Sequence, residues 1–152
     1  MITFDRIVDE IFVGTCPGSA LDADRLGKGG ITAVLNLQTD ADMATRQIIW
    51  PELEQTYLAL GISAYRFPIV DFDDDDMSRR LRGAADTLSR ILDTHKRVYV
   101  HCTAGQQRAP STVIGYLAWH RGYDLEEAIS TVMESRHCAP PLDVIRAVGS
   151  EN

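Results

Sequence analysis

Cys102 and Arg108 stand five residues apart in the stretch VYVHCTAGQQRAPSTVIGY, with Thr103, Ala104, Gly105, Gln106 and Gln107 between them. The stretch opens as an apolar strand and closes in a helical pattern, so the thiol falls where a strand ends and a helix begins. Folded as a cradle, such a loop turns successive backbone N–H groups toward its own centre, and Gly105 gives freedom where a side chain would crowd a ligand. The following helix adds the positive end of its dipole. Pro110 fits its first turn, where an amide has no helical partner. Arg108 closes the ring with a planar, two-pronged grip suited to tetrahedral oxyanions. A thiol in that field is drawn toward its thiolate. Cys102 therefore reads as a nucleophile that attacks phosphorus and forms a phosphocysteine.

An alkoxide leaves poorly without a proton, so the thiolate needs a separate acid. Upstream lies FPIVDFDDDDMSRRL, in which Asp71 follows a predicted strand 31 residues before Cys102. That spacing leaves room for one helix, about 76–95, to return the chain to a neighbouring strand. Asp71 is the expected general acid, with Asp73 second. His101 is expected to support the loop through a hydrogen bond rather than to transfer a proton. Asp71, Asp73 and Asp75 mimic the start of a calcium loop, but Asp76 replaces its glycine and Arg82 its bidentate glutamate. Asp-Phe-Asp after a strand also resembles magnesium-dependent aspartyl-nucleophile phosphatases, although Asp75 stands where they carry Thr or Val. For Asp74 to Asp76 the default is a solvated helix N-terminus. Neither metal nor cofactor is expected.

The elements that must position these residues follow from periodicity. ITAVLNL (31–37), ISAYRFPIV (62–70) and RVYVHC (97–102) read as buried strands, with shorter ones in FDRIV and IFVG near the start. Leu81, Ala84, Ala85, Leu88, Ile91 and Leu92 make the stripe of an amphipathic helix. Further helices are expected over roughly 108–121, 124–136 and 141–148, with Gly122 and Pro140-Pro141 as punctuation. Trp50, Trp119 and Met133 read as core. Strands alternating with helices, then a helical last third, imply an α/β fold: a mixed sheet of four or five strands flanked by helices.

The composition narrows the partners. The chain has 152 residues, 45% of them hydrophobic, and a net charge of -7. That suits one domain spanning 1–152 and argues against a nucleic-acid surface, while leaving room for one positive pocket. The stretch MITFDRIVDE has neither the basic start nor the long apolar run of a signal peptide, and no apolar run reaches membrane-spanning length, so no membrane partner is expected. Cys16, Cys102 and Cys138 are too few and too scattered for a disulfide framework, which suggests a reducing cytoplasm. Cys16 and Cys138 read as inert, although either can serve as a resolving thiol for an oxidised Cys102.

H-C-x-x-G-x-x-R with an upstream Asp resembles the cysteine-dependent dual-specificity phosphatases. Within them, HCTAG..RAP, DFD before an Arg-rich helix, IFVGTCP and CAPPLDVIRA are similar to the starch-excess and laforin-type glucan phosphatases, over roughly residues 5–149. No carbohydrate-binding module is expected. The resemblance implies that the amides of residues 103–108 bind the substrate phosphate and that Phe72 lines the mouth of the site. It also marks departures. Gln106-Gln107 replaces a small-Gly pair, and Ala44, Thr45 and Ala139 stand where that branch carries sugar-stacking aromatics. Ala109 follows the Arg, as in the glucan branch, and Ser111 lies too far on to assist the second step. The leading expectation is a metal-independent protein phosphatase of dual specificity, acting on phosphotyrosine and phosphoserine or phosphothreonine. The alternative is a phosphoglucan or other small phosphoester phosphatase, and the outsider a non-catalytic phosphate-binding module. A sulfurtransferase would have no use for Asp71.

Overall fold

The computed structural model describes residues 1–151. In chain order the strands are β1 (Phe4–Val8), β2 (Ile11–Gly14), β3 (Ala33–Asn36), β4 (Ser63–Arg66) and β5 (Val98–His101). The helices are α1 (Ala20–Lys28), α2 (Asp40–Thr45), α3 (Trp50–Ala59), α4 (Asp74–Leu92), α5 (Arg108–His120), α6 (Leu125–Ser135) and α7 (Leu142–Gly149). The strands form one sheet in the order β1-β2-β5-β3-β4. Only β1 runs antiparallel to its neighbour. The expected mixed α/β sheet is present, with the cysteine loop between its last strand and the following helix.

β5 lies at the centre, paired on one side with β2 and on the other with β3. Its four residues are all buried, and they alternate faces as a pleated strand must. Val98 and Val100 join the core under α4, α5, α6 and α7, while Tyr99 joins a second core under α1 and α3. Because β2, β3, β4 and β5 run parallel, their C-terminal ends open on one edge of the sheet. His101 sits opposite Gly14 and Asn36, and Asn36 opposite Arg66. The loops that follow these strands therefore converge outside the carboxyl ends, where open α/β sheets bind ligands.

α4 carries the expected stripe on its buried face and starts at Asp74, capped by Asp73. α5 is buried from Arg108 through Leu117; it is enclosed by its neighbours rather than amphipathic, so the residues at its start lie inside the molecule.

Three expectations need correcting. The apolar run 62–70 is a strand only over Ser63–Arg66. Phe67 still donates to Asn36 O, but Ile69 then donates to Leu37 O instead of Gln38 O, which Arg66 Nη2 takes, so the ladder slips out of register beyond Phe67. The helix expected from about 76 begins two residues earlier. Met133 is 38% exposed and does not belong to the core, because α6 presents Ala128, Ile129 and Val132 inward instead. Trp50 and Trp119 do pack against the two cores.

Candidate active site

The loop from Cys102 to Gln107 is held from outside through its carbonyls. His101 Nδ1 donates to the Cys102 carbonyl at 2.9 Å. The Cys16 amide takes Thr103 O and the Ala139 amide takes Gln106 O, each at 3.0 Å. Arg136 takes Gly105 O through Nε at 2.8 Å and Ala104 O through Nη2 at 3.2 Å. Ser111 takes Gln107 O with both its amide and its hydroxyl, the latter at 2.6 Å. With every carbonyl turned outward, the amides of Thr103 to Arg108 have no acceptor among the described residues. Backbone N–H groups left without partners at a helix start are an anion cradle.

Gly105 makes this turn possible. It has φ +66°, and a Cβ there would come within 2.6 Å of Gly14 O, so both the backbone conformation and the close approach of β2 require glycine. Thr103 is fixed through its hydroxyl, which accepts from Gln38 Nε2 at 2.9 Å; the Gln38 amide is in turn held by Asn36 Oδ1 at 2.8 Å.

Arg108 is almost completely buried at 2% exposure. Its Nη1 donates to Ile69 O at 2.8 Å, meets Leu37 O at 3.4 Å, and pairs with Asp42 at 2.7 Å. Nη2 lies 3.3 Å from Asp71 Oδ2 and 3.5 Å from Thr103 Oγ1. Nε is buried and has no partner among the described residues. One edge of the guanidinium is thus committed to protein acceptors, and the other retains donor capacity for a ligand.

Asp71, Phe72, Cys102, Ala104, Gln106, Gln107 and Arg108 line a cleft of about 260 Å³. The structure therefore brings together the expected nucleophile, acid, arginine, loop and aromatic. Cys102 is 3% exposed at its floor. Phe72 stands at the mouth, 83% exposed and with φ +57°, an uncommon conformation for a bulky residue. Asp73 faces elsewhere: its carboxylate accepts the Asp76 amide as the cap of α4. Asp76 in turn accepts the Val70 amide at 2.8 Å, so this part of the acidic run shapes the loop rather than being merely solvated. Of the two candidate acids, Asp71 alone lines the cleft.

His101 is wholly buried. Burial pulls its pKa down to about 4; the Cys102 carbonyl opposes that shift and Arg108 adds to it. At neutral pH the imidazole is uncharged, with its proton on Nδ1 toward the carbonyl and Nε2 without a partner among the described residues. That bond places His101 behind the cysteine loop, outside the residues that line the cleft.

The comparisons with known proteins identify the family. Residues 11–145 match the family model described as dual specificity phosphatase, catalytic domain. The chain belongs to this family. It is 32% identical over 154 residues to the amyloplastic phosphoglucan phosphatase DSP4 of Castanea sativa, a match covering 99% of this chain and 40% of that protein. It is 31% identical over 137 residues to the chloroplastic phosphoglucan phosphatase LSF1 of Arabidopsis thaliana, covering 90% and 23%. The chain thus spans less than half the length of either relative. Among solved structures it is similar to PTPMT1, with a TM-score of 0.76 at 19% identity, covering 96% of this chain and 91% of that one; this likeness is one of fold. Membership gives the chain the catalytic domain of that phosphatase family.

Two residues of the site escaped the sequence reading. Asp42 is the partner of Arg108, brought in by α2. A signal existed, since Thr39 and Asp42 have the spacing of a capping box, and both of its hydrogen bonds are present. Burial pushes the Asp42 carboxyl up, but the hydrogen bonds from Arg108 and Thr39 outweigh it and hold its pKa below the usual carboxylate value. Arg136, 7% exposed, grips the loop from behind and pairs with Asp5 at 2.9 Å. No local pattern marks it.

Proposed function

We propose that the protein hydrolyses phosphomonoesters without a metal, through a cysteinyl-phosphate intermediate on Cys102. The observation that carries this reading is the loop with its carbonyls engaged outward and its amides free around the cysteine. The phosphate sits in the ring of amides from Thr103 to Arg108 and against Arg108 Nε and Nη2. Cys102 Sγ attacks phosphorus, the bond to the ester oxygen breaks, and Asp71 gives that oxygen its proton. Water then attacks the phosphocysteine, Asp71 accepts its proton, and the thiolate leaves with release of inorganic phosphate.

For the substrate, phosphorylated glucan or another sugar phosphoester comes first, supported by the names of the relatives that match nearly the whole chain. A second reading, phosphotyrosine in peptides, is supported by the cleft itself. Phe72 is its one aromatic, and a single exposed ring can stack on an aryl group as readily as on a sugar face. Three free thiols fit a reducing compartment, of which the cytoplasm is one. No helix among the described residues is long and apolar enough to cross a membrane.

Phosphate release from phosphorylated amylopectin, phosphotyrosine and phosphoserine peptides, and phosphoinositides, compared as kcat/KM, decides the substrate. Higher efficiency on amylopectin than on any peptide supports the glucan reading. Higher efficiency on phosphotyrosine peptides overturns it in favour of the second.

A further inference from the structure

Arg108 meets two carboxylates at opposite parts of its guanidinium: Asp42 at Nη1, 2.7 Å away, and Asp71 at Nη2, 3.3 Å away. They are held differently. Asp42 Oδ2 also accepts the Thr39 amide at 3.0 Å, and the Asp42 amide is bound by Thr39 Oγ1 at 3.2 Å. That carboxylate is part of a helix start and cannot swing away without opening the capping box. The Asp71 side chain makes no hydrogen bond to a backbone amide among the described residues and is 28% exposed.

We propose that Asp42 is a positioning residue: it pins Nη1 of Arg108 to the scaffold so that Nε and Nη2 face the phosphate. This rests on the reading of Arg108 as the phosphate-gripping residue. Arg108 is planar and charged at every working pH, so it seeks carboxylates. Without Asp42, the only charged partner left is Asp71, which sits at the edge of the fork that phosphate must occupy. The guanidinium then closes on Asp71 more tightly than the 3.3 Å already present, and the ligand must displace a stronger pair before it can bind. Asp42 thus keeps the grip open by satisfying the other end of the same cation. It touches neither substrate nor reacting atoms and acts only through Arg108.

The test is the affinity of the full chain for tungstate, a tetrahedral oxyanion, measured by calorimetry. Asp42→Asn retains an acceptor for the Thr39 amide but loses the charge, and is expected to weaken tungstate binding about ten-fold and to raise KM more than it lowers kcat. Thr39→Ala breaks the capping box from the other side, and is expected to lower thermal stability with tungstate affinity near that of wild type. Asp42→Glu, which keeps the charge, is expected to recover most of the affinity. Asp71→Asn removes the competing carboxylate, and should tighten tungstate more in the Asp42→Asn background than in the wild type. Wild-type affinity in Asp42→Asn, equal weakening by Thr39→Ala, or an Asp71→Asn effect independent of position 42 would each overturn the role of Asp42 alone. A wild-type protein that binds no tungstate would overturn the reading of Arg108 as well.

Discussion

The two loops that meet at the cleft are built on opposite terms. The cysteine loop, 102–107, has all six carbonyls bonded to partners drawn from the end of β2, from β5 itself, from α5 and from the segment after α6. The acid loop, 69–73, is tied down by Ile69 and by the Val70 amide on Asp76, while the Asp71 carboxylate pairs only with Arg108 Nη2 among the described residues, at 3.3 Å, and Phe72 is exposed. One loop is fixed in advance; the other carries two functional side chains on a light tether. The division suits the two tasks. Amides aimed at developing charge act only if they need not reorganise. A proton donor has to meet leaving groups of different shapes, and some freedom serves it.

The largest effect that separates the loops is on the leaving group. Asp71→Asn is expected to slow hydrolysis of alkyl phosphates about 10²–10⁴-fold, the usual worth of a general acid. para-Nitrophenyl phosphate, whose leaving group departs unprotonated, should lose much less. Equal losses on both substrates would mean that Asp71 shapes the site instead of supplying a proton.

Next comes the outer support of the cysteine loop. Arg136→Met removes the donors to Ala104 O and Gly105 O, and is expected to cost about 3 kcal/mol of stability for two charge-assisted hydrogen bonds. Chemical denaturation measures the loss, and kcat/KM should fall with it on alkyl and aryl substrates alike. A fall confined to alkyl phosphates would contradict the division between the loops.

His101 gives the same loop a pH dependence. Its folded pKa of about 4 lies below the unfolded value of 6.5, so the unfolded chain binds the extra proton and stability falls as pH drops through that window. Between pH 6.5 and 5 the wild type should lose about 1.5 kcal/mol relative to His101→Asn, which cannot titrate. Parallel stability curves for the two proteins would show that His101 is not held neutral. The smallest effect belongs to the acid loop. Phe72→Ala should cost about 1 kcal/mol, as one aromatic contact, seen in KM and with little change in kcat.

The same contrast explains what could be read from the residues alone. The strand, the cysteine loop and α5 lie within twenty consecutive positions, so thiol, glycine and arginine announced themselves by local spacing. Asp71 was accessible through one longer inference, a helix between two parallel strands, and the structure has that connection as α4. Asp42 and Arg136 were not accessible in that way. Asp42 reaches Arg108 only because β3 lies beside β5, and Arg136 reaches Gly105 only because the chain folds back after α6. Both depend on the order of strands and helices in space, which periodicity does not encode. The run 62–70 failed for a different reason: its hydrophobic pattern continues to Val70, whereas the pairing with β3 slips register at Ile69, which donates to Leu37 O.

The central claim is tested most directly on Cys102. With a chelator present, wild-type protein is expected to turn over para-nitrophenyl phosphate. Cys102→Ser should fall by more than roughly 10⁴-fold while still binding tungstate, because the serine hydroxyl stays protonated in a cradle that is otherwise intact. Near wild-type turnover by Cys102→Ser, or a wild type silenced by the chelator and restored by magnesium, would contradict the cysteinyl-phosphate reading.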